Sequence, residues 1–310
     1  MINKLVIGTR SSQLALWQAD YVISRLQEKY PELKIEKRLM TTKGDRVLDA
    51  PLAKIGGKGL FTKELENAML SGDIDIAVHR LKDMPVVVPE GLIITAITSR
   101  EDPGDALVSP EYKTFAALPA GAKVGTSSLR RKAQLLHARP DLDIRDLRGN
   151  VNTRLKKLEE ERFDGIILAA AGLKRLGFTD RITDILPKSM VLPAVGQGAL
   201  AIEAREDAKE IREMLDFLDD KETRACTEAE RAFLATVEGG CQVPVGVYAL
   251  PDEEGGLKVE GVIASLDGAR LYRDAVQGPA ADCMKLGRQL AEKLLDAGGR
   301  EILNEIGIEV

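Results

Sequence analysis

At 310 residues, 44% hydrophobic and 30% charged with a formal net charge of −5, the chain has the composition of a folded water-soluble protein of two or three domains. No apolar run approaches the roughly 18 residues of a membrane span, net negative charge argues against a nucleic-acid partner, and 4% aromatics are too few for a base-stacking platform. Three cysteines (Cys226, Cys241, Cys283) form no C-x-x-C pair and leave an odd count, so a reducing compartment, the cytoplasm, is the expected address.

Residues 1–8 read as a first strand rather than a signal peptide, because a long apolar stretch and a small-residue cleavage site are missing. Ser11-Ser12 can cap a helix whose Leu14, Trp17, Tyr21, Val22 and Leu26 recur at helical spacing up to Pro31. Lys34–Met40 reads as a strand, Thr41–Leu60 as a mobile surface segment around Gly56-Gly57-Lys58-Gly59, and Phe61–Leu70 as a helix. Ile74–His79 and Leu92–Thr98 are expected strands. Beyond a polar connector at Ser99–Pro103 the alternation restarts: strand Lys123–Gly125, helix 128–137, strand Ile144–Leu147, helix Val151–Glu161, strand Gly165–Ala169. Pro193–Gly198 reads as a crossing back to the first unit through Ala199–Glu203. A helix over Glu222–Thr236, strands near Leu257–Ser265 and Arg270–Gln277 and a helix over Asp282–Ala297 complete the chain.

The expected fold class is α/β. Two lobes with largely parallel sheets, 1–98 with 199–216 and 104–192, are joined by paired crossovers and followed by a small α+β third domain over 221–310. Such lobes place ligands at the C-terminal ends of their strands.

No G-x-G-x-x-G follows a strand, Gly56–Leu60 is not a P-loop, and neither His79 nor His137 stands in metal-ligand spacing, so no metal site is expected. Charge is uneven: Lys123–Arg175 holds 13 Lys+Arg against 7 Asp+Glu, a local +6 in a chain whose remainder carries −11. Four constellations bear on chemistry. Gly125-Thr126-Ser127-Ser128-Leu129-Arg130-Arg131 ends a strand and opens a helix, which makes an anion cradle or, equally, a well-capped helix with two exposed arginines. Arg148-Gly149-Asn150-Val151-Asn152-Thr153-Arg154 repeats the pattern; with Arg10 and Arg175 it brings arginines repeatedly to strand ends, where they suit carboxylates. Lys82-Asp83, delivered by the third strand, is a candidate acid–base carboxylate or a plain surface pair. Cys241, after Gly239-Gly240, is an approachable nucleophile or a buried packing thiol. Cys226 and Cys283 fall in helical patterns and are assigned to packing.

Together these segments resemble the porphobilinogen deaminase family over nearly the whole chain. The resemblance is carried by Gly8-Thr9-Arg10, Lys43-Gly44-Asp45, Gly56–Phe61, Lys82-Asp83, Gly125–Arg131, Arg148-Gly149-Asn150, Ala170–Arg175, Leu192–Gly198 and Glu238–Pro244. It implies two lobes like those of periplasmic binding proteins, and a third domain that anchors a dipyrromethane cofactor on Cys241 by a thioether. Four porphobilinogen units would be added in turn, each losing ammonia, before water releases hydroxymethylbilane. By the same resemblance Asp83 is the catalytic carboxylate, stabilising the cationic azafulvene left when the amine departs. Arg10, Ser12, Lys82, Thr126, Ser127, Ser128, Arg130, Arg131, Arg148, Arg154 and Arg175 would bind acetate and propionate groups. Gln18, Asp45, Lys58, Phe61 and Gln197 would be cleft or lid positions, with 41–60 as a lid. The family is usually monomeric, and neither a membrane nor a nucleic acid is expected as partner.

One position departs from the family pattern His-Ser-x-Lys-Asp, because this chain reads His79-Arg80-Leu81-Lys82-Asp83. Arg80 is expected either to grip a cofactor carboxylate or to obstruct chain growth. Two rival readings remain at this point. A two-lobed carboxylate-binding protein would need neither Cys241 nor Asp83, and a cysteine hydrolase would need a histidine that no local motif brings to Cys241.

Overall fold

The computed structural model describes residues 2–46, 60–237 and 243–308. Its strands in chain order are β1 (Lys4–Arg10), β2 (Lys34–Met40), β3 (Ile76–Arg80), β4 (Leu92–Ile97), β5 (Asp105–Val108), β6 (Lys123–Gly125), β7 (Asp143–Arg145), β8 (Gly165–Ala169), β9 (Asp184–Ile185), β10 (Leu200–Arg205), β11 (Val245–Pro251), β12 (Gly256–Ala264) and β13 (Leu271–Pro279). They form three sheets, ordered β2-β1-β3-β10-β4, β7-β6-β8-β5-β9 and β11-β12-β13. The chain divides into two compact units: Met1–Glu101 with Ala199–Arg224 hold the first sheet, and Asp102–Gly198 with Ala225–Val310 hold the other two.

In the first unit Leu5 and Ile7 of β1, Ile76 and Val78 of β3 and Leu200, Ile202 and Ala204 of β10 share one face of the sheet. Onto it packs the buried stripe Ala19, Val22 and Leu26 of the helix Gln13–Lys29. That helix starts where expected, because the Ser12 side chain accepts a hydrogen bond from the Ala15 amide at 3.3 Å. β1 runs parallel to β2 and β3, but β10 lies antiparallel to both β3 and β4. The expected largely parallel sheet is therefore mixed. The physical reason is connectivity: β10 enters after a crossing, not through a strand–helix–strand crossover that would force parallel pairing.

The second sheet repeats the arrangement. β6 is parallel to β7 and β8, while β5, the first strand after the crossing, is antiparallel to β8 and β9. Both faces are covered. Ala106, Val108, Ile166 and Leu168 turn to one core, and Leu107, Val124 and Ile167 to the other, the two-residue alternation of a strand buried on both sides.

The third sheet is antiparallel throughout and is backed by buried Phe233, Leu290 and Leu294 from the helices Lys221–Thr236 and Cys283–Leu294. Cys226 and Cys283 are both buried. Three sheets were expected, yet this last one belongs to the same compact unit as the second, and specific bonds show why. Arg273 donates to the carbonyls of Lys188 and Ser189 at 2.8 and 2.5 Å. Glu230, fully buried, accepts from the Gly196 amide at 2.7 Å and the Ala249 amide at 3.0 Å. His137 Nδ1 lies 2.8 Å from the Gly268 carbonyl. Gly268 has φ +74°, and a Cβ there would stand 2.4 Å from the His137 amide nitrogen. Gly268→Ala is therefore expected to cost about 2 kcal/mol or more, read as a lower urea midpoint with unchanged m-value.

Candidate active site

In the first unit the expected residues gather at the C-terminal ends of β1 and β3. Arg10 closes β1, and its guanidinium carbon lies 4.4 Å from the centroid of the Phe61 ring. Phe61 thus serves as the face on which this arginine is laid. β3 ends at Arg80 and runs into a single 3-10 turn, Leu81–Asp83, whose Leu81 is buried and whose amide bonds to the Ala199 carbonyl at 3.1 Å. That anchor fixes the turn from which Lys82 and Asp83 project. Asp83 is only 18% exposed at its side chain. Burial alone would push its carboxyl up; the charges of Arg80, Lys82 and Arg10, with a hydrogen bond from Arg80, outweigh that and hold it below the usual carboxylate range.

Arg80 itself has a partner that neither sequence expectation named. Its Nε donates to Asp83 Oδ2 at 2.6 Å, and its Nη2 pairs with the same oxygen. One residue earlier the strand's other face carries a buried pair, His79 Nε2 to Glu203 Oε2 at 3.0 Å, which ties β3 to β10. Behind it burial pushes the Glu66 carboxyl up, reinforced by the nearby Glu203 charge. Ser12 keeps its oxygen on the helix it caps, and Gln18 is buried in the same helix. Lys58 and Cys241 lie outside the described residues, as do the side chain of Asp45 and the 47–59 portion of the expected lid.

In the second unit the hydroxyl-rich turn after β6 is locally occupied. Ser127 Oγ donates to the Leu147 carbonyl and accepts from the Leu147 amide, both at 3.0 Å. Thr126 Oγ1 accepts from the Ser128 amide at 3.3 Å, and Ser128 caps the helix Leu129–Ala138. Arg148, in the turn after β7, and Arg175, at the end of the helix Ala170–Arg175 that follows β8, are half-buried, and Arg175 donates to the Gly198 carbonyl at 2.7 Å. Arg154 reaches back from its helix to the Gly149 carbonyl at 2.8 Å.

Arg130 and Arg131 are not the exposed arginines of the capped-helix reading. Each is 4% exposed, and both point at Asp105. Arg130 Nη1 donates to Asp105 Oδ2 and to the Leu192 carbonyl, each at 2.6 Å. Arg131 donates to Asp105 Oδ1 through Nη2 at 2.6 Å and Nε at 3.0 Å, and to the Ile167 carbonyl through Nη1 at 3.0 Å. Gln197 Nε2 adds a bond to Asp105 Oδ1 at 2.8 Å and one to the Pro103 carbonyl at 2.7 Å. Burial would raise the Asp105 carboxyl, but the two guanidinium groups drive it far below the carboxylate range.

Asp105 is the residue that sequence reasoning missed. A single acid opening the apolar run Asp105-Ala106-Leu107-Val108, in a chain with an arginine pair elsewhere, was the available signal. Among the described residues no group of histidines, cysteines and carboxylates is arranged to hold a metal, and no helix is long and apolar enough to cross a membrane.

Comparison with known proteins places these residues in context. The family model "Porphobilinogen deaminase, dipyromethane cofactor binding domain" matches residues 5–213, and "Porphobilinogen deaminase, C-terminal domain" matches 224–296. A porphobilinogen deaminase of Geobacter sulfurreducens is 55% identical over 305 residues, 98% of this chain and 95% of its own. One of Desulforamulus reducens is 51% identical over 306 residues, 99% of each. Among solved structures, the periplasmic aliphatic sulphonate binding protein of Escherichia coli aligns with a TM-score of 0.40 at 16% identity, over 76% of this chain and 71% of that one, a likeness too low to argue from. On the sequence matches, which run nearly end to end, the chain belongs to the porphobilinogen deaminase family.

Proposed function

We infer that this chain is a transferase of tetrapyrrole biosynthesis. It deaminates four porphobilinogen molecules, joins them head to tail on a covalent dipyrromethane primer, and releases hydroxymethylbilane by hydrolysis. In each cycle a C–N bond of the substrate breaks as ammonia leaves, a C–C bond forms between rings, and the coupled ring loses a proton. What supports this most is Asp83, a largely buried carboxylate held ionised by three cations at the end of β3. A fixed anion in a partly dry setting stabilises the positive charge that develops as the amine departs, and can accept a pyrrole N–H or the ring proton.

The donor set suits a ligand with several carboxylates. Arg10 and Lys82 in the first unit and the half-buried Arg148, Arg154 and Arg175 in the second are of the type that binds acetate and propionate groups. Among the described residues Arg130 bonds through Nη1, and with Arg131 it adds positive charge beside the turn after β6. The dipyrromethane, when bound, would supply the free ring position to which the first porphobilinogen is joined. Cys241 is the proposed thioether anchor, and 41–60 the proposed lid. Ser12, Thr126, Ser127 and Ser128 shape the two turns and, when a ligand competes with their local bonds, offer hydroxyl donors; Gln18, Asp45, Lys58 and Gln197 are supporting positions. The proposed setting is a cytoplasmic monomer; three cysteines that form no C-x-x-C pair fit a reducing compartment. The proposed carrier of Cys241 is a third α+β domain over 221–310.

The test is direct. Purified protein incubated with porphobilinogen is expected to consume it and release a linear tetrapyrrole. In denaturant its intact mass is expected to exceed the 33.7 kDa chain by two pyrrole units that colour with Ehrlich's reagent. Cys241→Ala is expected to remove both the added mass and the activity. An unmodified, colourless parent protein that binds the substrate without consuming it favours a carboxylate-binding protein instead.

A further inference from the structure

We propose that Arg80 is a positioning residue for Asp83, holding the carboxylate by one oxygen so that the other is presented to the pyrrole. This deepens the proposed function and rests on Asp83 being the catalytic carboxylate. The geometry is asymmetric. Both guanidinium contacts, from Nε and Nη2, fall on Oδ2. Among the described residues Oδ1 accepts no hydrogen bond, although the side chain is 18% exposed and so reachable. A carboxylate anchored through one oxygen cannot rotate without breaking its contacts with Arg80. The remaining oxygen therefore keeps a fixed direction in which a pyrrole N–H or a developing cation can meet it.

Backbone geometry makes the grip local. Arg80 is the last residue of β3, and Asp83 ends the single turn that follows, so the pair lies three positions apart across a turn anchored by Leu81. The guanidinium is 34% exposed at its side chain, which leaves it room to swing away if a ligand carboxylate competes. The other charges that act on Asp83 come from Lys82 in the same turn and Arg10 on β1. His79, on the opposite face of β3, is engaged with Glu203 of β10. Arg80 differs from Lys82 and Arg10 in being the cation that hydrogen-bonds the carboxylate.

The sign of the effect follows. Removing Arg80 takes away an opposite charge and a hydrogen bond to the ionised form, so Asp83 binds its proton more tightly. In Arg80→Gln the acid limb of kcat/KM is expected to move to higher pH by about one unit, a tenfold rise in proton affinity. Arg80→Lys, keeping charge but losing the planar fork, is expected to restore part of the shift. Carboxyl-¹³C aspartate labelling, with Asp83→Asn assigning the resonance, reads the same titration without turnover. If the Asp83 titration and the acid limb both stay in place in Arg80→Gln, the positioning role is overturned. If Asp83→Asn retains the parent rate while the ¹³C titration still moves in Arg80→Gln, the grip stands and the catalytic reading of Asp83 is what fails.

Discussion

Asp83→Asn is expected to lower kcat by about 10²–10⁴-fold, the range for loss of a positioned acid–base or charge-stabilising group. The substitution keeps shape and a carbonyl oxygen but removes the negative charge. Three cations were balanced against that charge, and in the variant they face a site where further positive charge must develop. On the proposed reading, ground-state binding draws on the carboxylates of the substrate and on arginines other than Arg80, so KM is expected to change far less than kcat. Stability gives the control. Arg80 remains partly exposed and can be rehydrated, so losing its partner is expected to cost no more than about 1 kcal/mol. A folded, substrate-binding, nearly inert enzyme is the expected product. A variant turning over within about threefold of the parent would remove Asp83 from the chemistry and leave Arg10, Arg80 and Lys82 a binding feature only.

Where the candidate residues fall in each unit was legible because strand ends can be read locally. Arg10 follows an apolar run, Lys82-Asp83 another, and the turns after β6, β7 and β8 each carry arginine within a few residues. Alternation and capping residues were enough to place the strands Lys34–Met40, Lys123–Gly125 and Gly165–Ala169 where the structure has them. What escaped depends on pairing between distant segments. β5 is four residues long and follows a polar connector, so nothing local announces it; it exists because β8 and β9 supply its hydrogen bonds from 58 and more residues away. The direction of β10 was hidden for the same reason, since pairing sense is set by where the chain re-enters the sheet. Arg80 shows a different limit. Its spacing from Asp83 was visible, but an i, i+3 pair meets only if the backbone turns between them, and the 3-10 turn was not foreseen.

Asp105→Ala is expected to be the most damaging single substitution in the second unit, costing about 3–5 kcal/mol. Domains are stable by only about 5–15 kcal/mol. The carboxylate is 1% exposed, and removing it leaves two guanidinium groups, each 4% exposed, with backbone carbonyls but no counter-charge. The loss also reaches Gln197 and, through Arg130, the Leu192 carbonyl, so β5, the turn after β6 and the Pro193–Gly198 segment all loosen together. Asp105→Asn should fall between, keeping acceptor geometry while losing charge. The pH dependence has a definite sign. The folded carboxyl titrates far below its unfolded value of about 3.9, so the pair's stabilisation is complete above that value and is lost only as pH falls towards the depressed one. Between pH 5 and 9 the penalty of Asp105→Ala is therefore expected to be flat. Urea midpoints at several pH values measure it, and pairing the change with apolar replacements at Arg130 and Arg131 should recover much of the loss, because the cost is mainly that of uncompensated charge. Should Asp105→Asn unfold at the parent's urea concentration, then the charge of Asp105 is not what holds the two guanidinium groups, and an acceptor oxygen with the Leu192 and Ile167 carbonyls suffices.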